Sequence, residues 1–168
     1  RLNRVHGATA LKDYITTSRK MRHQLAYVAR EEGLNIVVEP GGDAQLNFAR
    51  VMDGMAGIAH GMGFTDVYDD VIRYMAASDA GITPTLIVTL DGPRGEQYFH
   101  QSERLWENEK LLNFAEAEDL RALYRRTPHF FEDDFYHFEL AGNLKRLWDA
   151  GVSMQLGGHG QLPGLDAH

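Results

Sequence analysis

Residues 23–40, HQLAYVAREEGLNIVVEP, pass from a helical pattern through Gly33 into a short apolar run. Residues 71–88, VIRYMAASDAGITPTLIV, make the same passage through Gly81, and residues 144–158, LKRLWDAGVSMQLGG, make it through Gly151. A glycine after a helix supplies the left-handed turn that ends it. The β-branched and apolar run that follows reads as a strand buried on both faces. Helix, glycine and buried strand in repetition predict a parallel α/β sheet.

Working outward, two more strands fit the series, one in residues 8–13 and one in residues 56–60. The predicted order is strand 8–13, helix 17–32, strand 35–39, helix 44–53, strand 56–60, helix 66–79, strand 82–89, a helical insertion, a further helix and strand 152–157. The insertion breaks the rhythm from residue 91, with helical stretches expected at 97–113 and 116–126. Residues 98–138 hold ten of the 17 aromatic residues, so the 91–138 segment is either a lid over a site or a packed extra layer. No linker or second domain interrupts residues 1–168, which read as one unit.

Composition narrows the function classes. The 168 residues suffice for one domain with a substantial core, and 43% apolar with 24% charged residues is a globular mixture. A net charge of −7 argues against nucleic acid or an anionic membrane as the main partner. No apolar run approaches the roughly 18 residues that span a bilayer. The absence of cysteine excludes disulfides and thiolate zinc sites but does not fix the compartment.

The ionisable residues at the C-terminal ends of the predicted strands form a pattern. Lys12 and Asp13 end the first strand, Glu39 the second and His60 the third; Thr89 and Asp91 follow the fourth, and His159 follows the fifth. Parallel α/β folds build their sites at this end of the sheet. Each residue also has a plain structural reading. Lys12 suits a solvated strand end, Glu39 a helix cap, His60 a hydrogen-bonded core histidine and His159 a turn residue. Their equivalent positions on successive strands favour metal ligation or acid–base chemistry, because imidazole and carboxylate are common zinc ligands and histidine moves protons near neutral pH. The chain has no HExxH, P-loop, GxGxxG or GxSxG motif, and no serine has the context of a nucleophile.

The stretches GATALKDY (7–14), GIAHGMGF (57–64), GITPTLIV (81–88) and GVSMQLGGHGQLPGLDAH (151–168) resemble consecutive strands of the amidohydrolase superfamily. The similarity is to the imidazolonepropionase and prolidase-like branch, including the proteins that fuse this barrel to a TolB-like β-propeller. It extends over essentially the whole chain. The resemblance implies a partial (β/α)8 TIM barrel, with parallel strands four to eight present and a helical insertion before the last. The chain is then expected to be a fragment, inactive alone, and the family's HxH pair on strand one is absent from it. Carried over residue by residue, Lys12 stands where many members have a carboxylated, metal-bridging lysine, and His60 matches the histidine ligand of strand six. Glu39 stands where strand five usually offers histidine. His159 stands near the usual aspartate of strand eight, as ligand or general base. These last two depart from the family pattern.

The implied activity is metal-dependent hydrolysis of an amide, peptide-like or cyclic-amide bond, with one or two divalent ions, zinc foremost. The substrate would be a small molecule or peptide-like compound. The propeller-fused relatives imply a periplasmic or other extracytoplasmic location, with a cytoplasmic one left open. An alternative is a barrel without metal, serving as a binding or structural platform. A third reading, an unrelated doubly wound sheet, is separated by strand order, which reverses there and stays sequential in a barrel. Open sheet edges lead to the further expectation of a homo-oligomer or of association with missing barrel strands.

Overall fold

The computed structural model describes residues 5–63, 66–88, 92–126 and 128–158, apart from the side chains of Leu123 and Arg126. Four strands, β1 (Ala10–Tyr14), β2 (Asn35–Glu39), β3 (Gly57–Ala59) and β4 (Gly81–Thr83), form a sheet in the order β1-β2-β3-β4. All three pairings are parallel. The helices between them are α1 (Arg19–Glu31), α2 (Ala44–Met52) and α3 (Asp69–Ser78). Beyond β4 come α4 (Gly95–Ser102), α5 (Ala117–Arg126) and α6 (His137–Asp149), interspersed with short 3-10 turns. The chain is thus an α/β protein with a sequentially ordered parallel sheet, and order reversal, the mark of a doubly wound sheet, is absent among the described strands.

The punctuation of the sequence explains the boundaries. Ser18 caps α1 by accepting from the Met21 amide, and Asp43 caps α2 by accepting from the Leu46 amide. Gly33 and Gly151 take positive φ after α1 and α6, as expected of glycines that end helices. Gly81 does not. The left-handed turn after α3 falls on Asp79, at φ 58°, and Gly81 is already the first residue of β4. The last two predicted strands are shorter than expected. Extended pairing in β4 stops at Thr83, because Pro84 has no amide to continue a ladder, and residues 86–88 coil into a 3-10 turn. The stretch predicted as strand 152–157 contributes a single parallel bridge, Met154 to Ile82.

One face of the sheet is dry. Ile36, Val38, Ile58 and Ile82 pack against Ala26 and Ala29 of α1, Val51 of α2, Met75 of α3 and Leu144 and Leu147 of α6. Burying each of the larger side chains contributes about 1.5–3 kcal/mol. The opposite face carries Lys12, Val37, Glu39, Gly57, Ala59, Gly81 and Thr83, as the alternation of strand side chains requires. Among the described residues no helix is long and apolar enough to cross a membrane. Gly142, within α6, has open space where a Cβ would sit. Gly142→Ala should therefore stabilise the fold by about 0.5–1 kcal/mol in urea unfolding, by removing backbone entropy from the unfolded chain.

The insertion packs around its own residues. Leu105, Leu111 and Leu120 form a second small core, with Trp106 and Ala115 against it. Beside it, Tyr98, Phe99, Phe135 and Phe138 surround His137, whose ring is buried and whose two nitrogens have no hydrogen-bond partner among the described residues. Burial holds the His137 imidazole below its ordinary pKa, and the same cause lowers that of His100. The sign of the linkage follows. The unfolded chain takes up these protons first, so stability is complete above about pH 6.5 and declines as pH falls toward the depressed folded values. Denaturant unfolding from pH 7 to 5 should show this loss, and His137→Phe, which keeps the aromatic packing, should flatten it.

Candidate active site

Three of the four predicted site residues meet on the open face of the sheet. Glu39 is the last residue of β2, level with Tyr14 of β1. Lys12 lies two residues before the end of β1, not at its tip, and its long side chain slants up so that Nζ is 2.6 Å from Glu39 Oε2. His60 follows β3 directly. Strict alternation would send it to the helix side, beside Ile58, but its backbone is left-handed, at φ 61°, and its amide donates to the Thr83 carbonyl at 2.8 Å. Its ring therefore returns to the open face, with Nε2 3.3 Å from Glu39 Oε1. A non-glycine residue held in this conformation has a local cost that the surrounding contacts must offset. Asp13, which shares the strand end with Lys12, alternates to the buried face and accepts from the Thr16 hydroxyl there.

A dry framework behind the strands fixes this placement. Arg50 of α2 is fully buried and donates from Nη1 to the Glu39 carbonyl at 2.6 Å and to Asn47 Oδ1 at 3.2 Å. Burial lowers the Arg50 pKa, with the nearby Asp13 charge acting the other way. Asn47, also fully buried, donates to the carbonyls of Gly41 and Met62 and accepts from the Gly41 amide. One side chain thus ties the loop after Glu39 to the loop after His60. Gly63 completes the junction, since a Cβ there would stand 3.1 Å from the Gly42 carbonyl oxygen at an unfavourable φ of 82°.

The second ring nitrogen of His60, Nδ1, lies 2.8 Å from the hydroxyl of Thr85, which is buried. Sequence periodicity places Thr85 within a continuous strand. Pro84 is the signal against that reading, and the turn it starts is what brings the hydroxyl to the histidine. Gly157 packs on the far side of Thr85, where a Cβ would come within 2.4 Å of Oγ1 and 3.0 Å of the Pro84 carbonyl oxygen. Gly157→Ala should therefore cost about 1–3 kcal/mol by overpacking, and it should shift the NMR signals of Thr85 and His60. His159 lies outside the described residues, as do Thr89, Asp91, Asp166 and His168.

Two of these side chains place donor atoms at a spacing that two ligands of one cation also have. Two ligands of a tetrahedral zinc ion, each about 2.0–2.2 Å from the metal, lie about 3.3 Å from one another. The Nε2–Oε1 separation of 3.3 Å matches that spacing. The donor chemistry fits as well, since a neutral imidazole and a carboxylate are both zinc ligands. Among the described residues no cluster of three His, Asp or Glu side chains is placed to hold a metal, so Glu39 and His60 supply two donors, with Lys12 as the third neighbouring side chain. The Lys12 side chain is about half exposed, while that of Glu39 is mostly buried.

No family model and no curated protein matches the chain. Among solved structures it is similar to the crystal structure of an uncharacterized protein, with a TM-score of 0.51 and 16% sequence identity over 90% of this chain and 34% of that one. The chain thus spans about a third of that protein's length, and at this identity the likeness concerns the α/β fold alone.

Proposed function

We propose that the sheet is a segment of a (β/α)8 barrel and that its open face is part of a metal-dependent hydrolase site for amide, peptide-like or cyclic-amide bonds. The observation that carries the reading is the Glu39 carboxylate set between Lys12 and His60 at the C-terminal ends of adjacent parallel strands. Sequential strand order and the amidohydrolase-like motifs support the barrel. Glu39 and His60 would hold a divalent ion, zinc by their chemistry. When bound, such an ion polarises a scissile carbonyl and lowers the pKa of a water to about 7. Lys12 neutralises Glu39 before loading and, if carboxylated, becomes a further ligand. His159 accepts the proton of the attacking water or adds a ligand. The 91–138 insertion shapes the substrate pocket.

The test is hydrolysis of N-acyl amino acids, dipeptides and cyclic amides by the Zn²⁺-loaded full-length protein, with the barrel complete. Turnover of at least one class, abolished by chelator and restored by Zn²⁺, is expected. Stoichiometric Zn²⁺ with no turnover of any class would overturn the hydrolase assignment. A second reading has its own support, because Lys12 at 2.6 Å already balances the Glu39 charge without a metal. On that reading the face is a metal-free binding platform, and it associates through its open edge, where Tyr14 and Ile15 are exposed.

A further inference from the structure

Two of the groups that His60 touches make opposite demands on it. Its Nε2 faces the Glu39 carboxylate at 3.3 Å, and its Nδ1 faces the Thr85 hydroxyl at 2.8 Å. An ionised carboxylate only accepts hydrogen bonds, so a neutral His60 that bonds to Glu39 does so with its proton on Nε2. Nδ1 is then a bare lone pair, and the Thr85 O–H donates to it. A divalent ion between Glu39 and His60 needs the Nε2 lone pair instead, so the ring proton must sit on Nδ1. A hydroxyl is both donor and acceptor and rotates freely about its C–O bond. Thr85 can serve both states by rotating its O–H bond, without moving its oxygen.

We propose that Thr85 is the positioning residue that sets the His60 tautomer and changes sense with loading, donating to Nδ1 in the metal-free protein and accepting from Nδ1–H in the loaded one. A neutral ring holds one proton, whichever nitrogen carries it. On loading, the Nε2 proton leaves to solvent and Nδ1 takes one up, so His60 contributes no net proton release. The inference rests on the metal reading above for its second state only. Valine is nearly isosteric with threonine and can neither donate nor accept, so it isolates the hydroxyl. Losing such an outer partner of a ligand histidine costs about 10–100-fold in metal affinity.

Long-range ¹H–¹⁵N correlations on ¹⁵N-histidine protein report the tautomer, with His60 assigned by its loss in His60→Gln. The metal-free wild type should show Nε2–H with Nδ1 as acceptor, and Zn²⁺ should convert it to Nδ1–H. Thr85→Ser should match the wild type. Thr85→Val should shift the metal-free Nδ1 signal and weaken Zn²⁺ binding by about 10–100-fold. An Nδ1–H tautomer in the metal-free wild type overturns the proposal without recourse to any variant. So does Zn²⁺ binding by folded Thr85→Val that is as tight as that of the wild type. If the wild type takes up no Zn²⁺, the metal reading fails, while the metal-free spectra of wild type and Thr85→Val still decide whether Thr85 sets the tautomer.

Discussion

His60→Asn is expected to weaken Zn²⁺ binding by at least about 100-fold, the upper end of what loss of an outer partner alone costs. The imidazole is one of two donors placed at ligand spacing, and asparagine offers only a neutral amide, a poor zinc ligand. Glu39→Gln should behave in the same way, because it removes the negative charge along with one strong oxygen donor. His159→Asn should differ from both. A general base can be lost while the metal stays, so activity should fall by about 10²- to 10⁴-fold with most of the Zn²⁺ retained. Parallel metal analysis and kcat/KM on whichever of the three substrate classes is turned over separate the roles. If His60→Asn and Glu39→Gln bind Zn²⁺ as the wild type does, neither residue is a ligand.

Asp53→Ala should lower stability by about 3–5 kcal/mol, the cost of removing one partner from a buried ion pair. The Asp53 carboxylate has no exposed surface. It accepts from Arg22 Nε at 2.8 Å, Arg19 Nε at 3.1 Å and His23 Nε2 at 2.8 Å. Arg22 is itself buried and donates also to the Thr17 carbonyl, so without Asp53 its charge is stranded beneath α1. Typical domains have about 5–15 kcal/mol in all, which makes this variant marginal. Burial alone would raise the Asp53 pKa, but the hydrogen bonds from His23, Arg22 and Arg19 outweigh it and the net shift is downward. The associated stability is present above the unfolded carboxylate value, about 3.9, and is lost as pH falls through the lower folded value. Urea midpoints of wild type and Asp53→Ala should therefore differ at pH 7 and draw together in strong acid. Equal midpoints at pH 7 would show that the cluster stabilises nothing.

The parts of the fold that were legible in the sequence are those with sharp local signals. The strand predicted at 35–39 is β2, residue for residue, because Gly33 and Pro40 punctuate it and Ile36, Val37 and Val38 fill it. The strand predicted at 82–89 is cut short by Pro84, a signal overridden in the sequence by the apolar run LIV. The predicted 152–157 strand pairs at Met154 alone. Lys12, Glu39 and His60 could be brought together on paper because parallel strands in sequential order carry their ends to one place. Thr85, Arg50 and Asn47 could not. Their roles depend on contacts between positions 25, 11 and 15 residues apart that follow no period. The left-handed backbone of His60, which turns its ring to the open face, likewise has no mark in the sequence beyond the glycine that follows it.

The central claim is that Glu39 and His60 hold a divalent ion together. Zinc K-edge absorption on the protein loaded with one equivalent of Zn²⁺ tests it most directly, read beside the same spectra of His60→Asn and Glu39→Gln. A stoichiometric site of only nitrogen and oxygen ligands at about 2.0–2.2 Å is expected. So is loss of the imidazole scattering in His60→Asn and of one oxygen ligand in Glu39→Gln. A wild-type protein that retains no Zn²⁺ after buffer exchange, or one whose spectrum is unchanged in both variants, would contradict such a site.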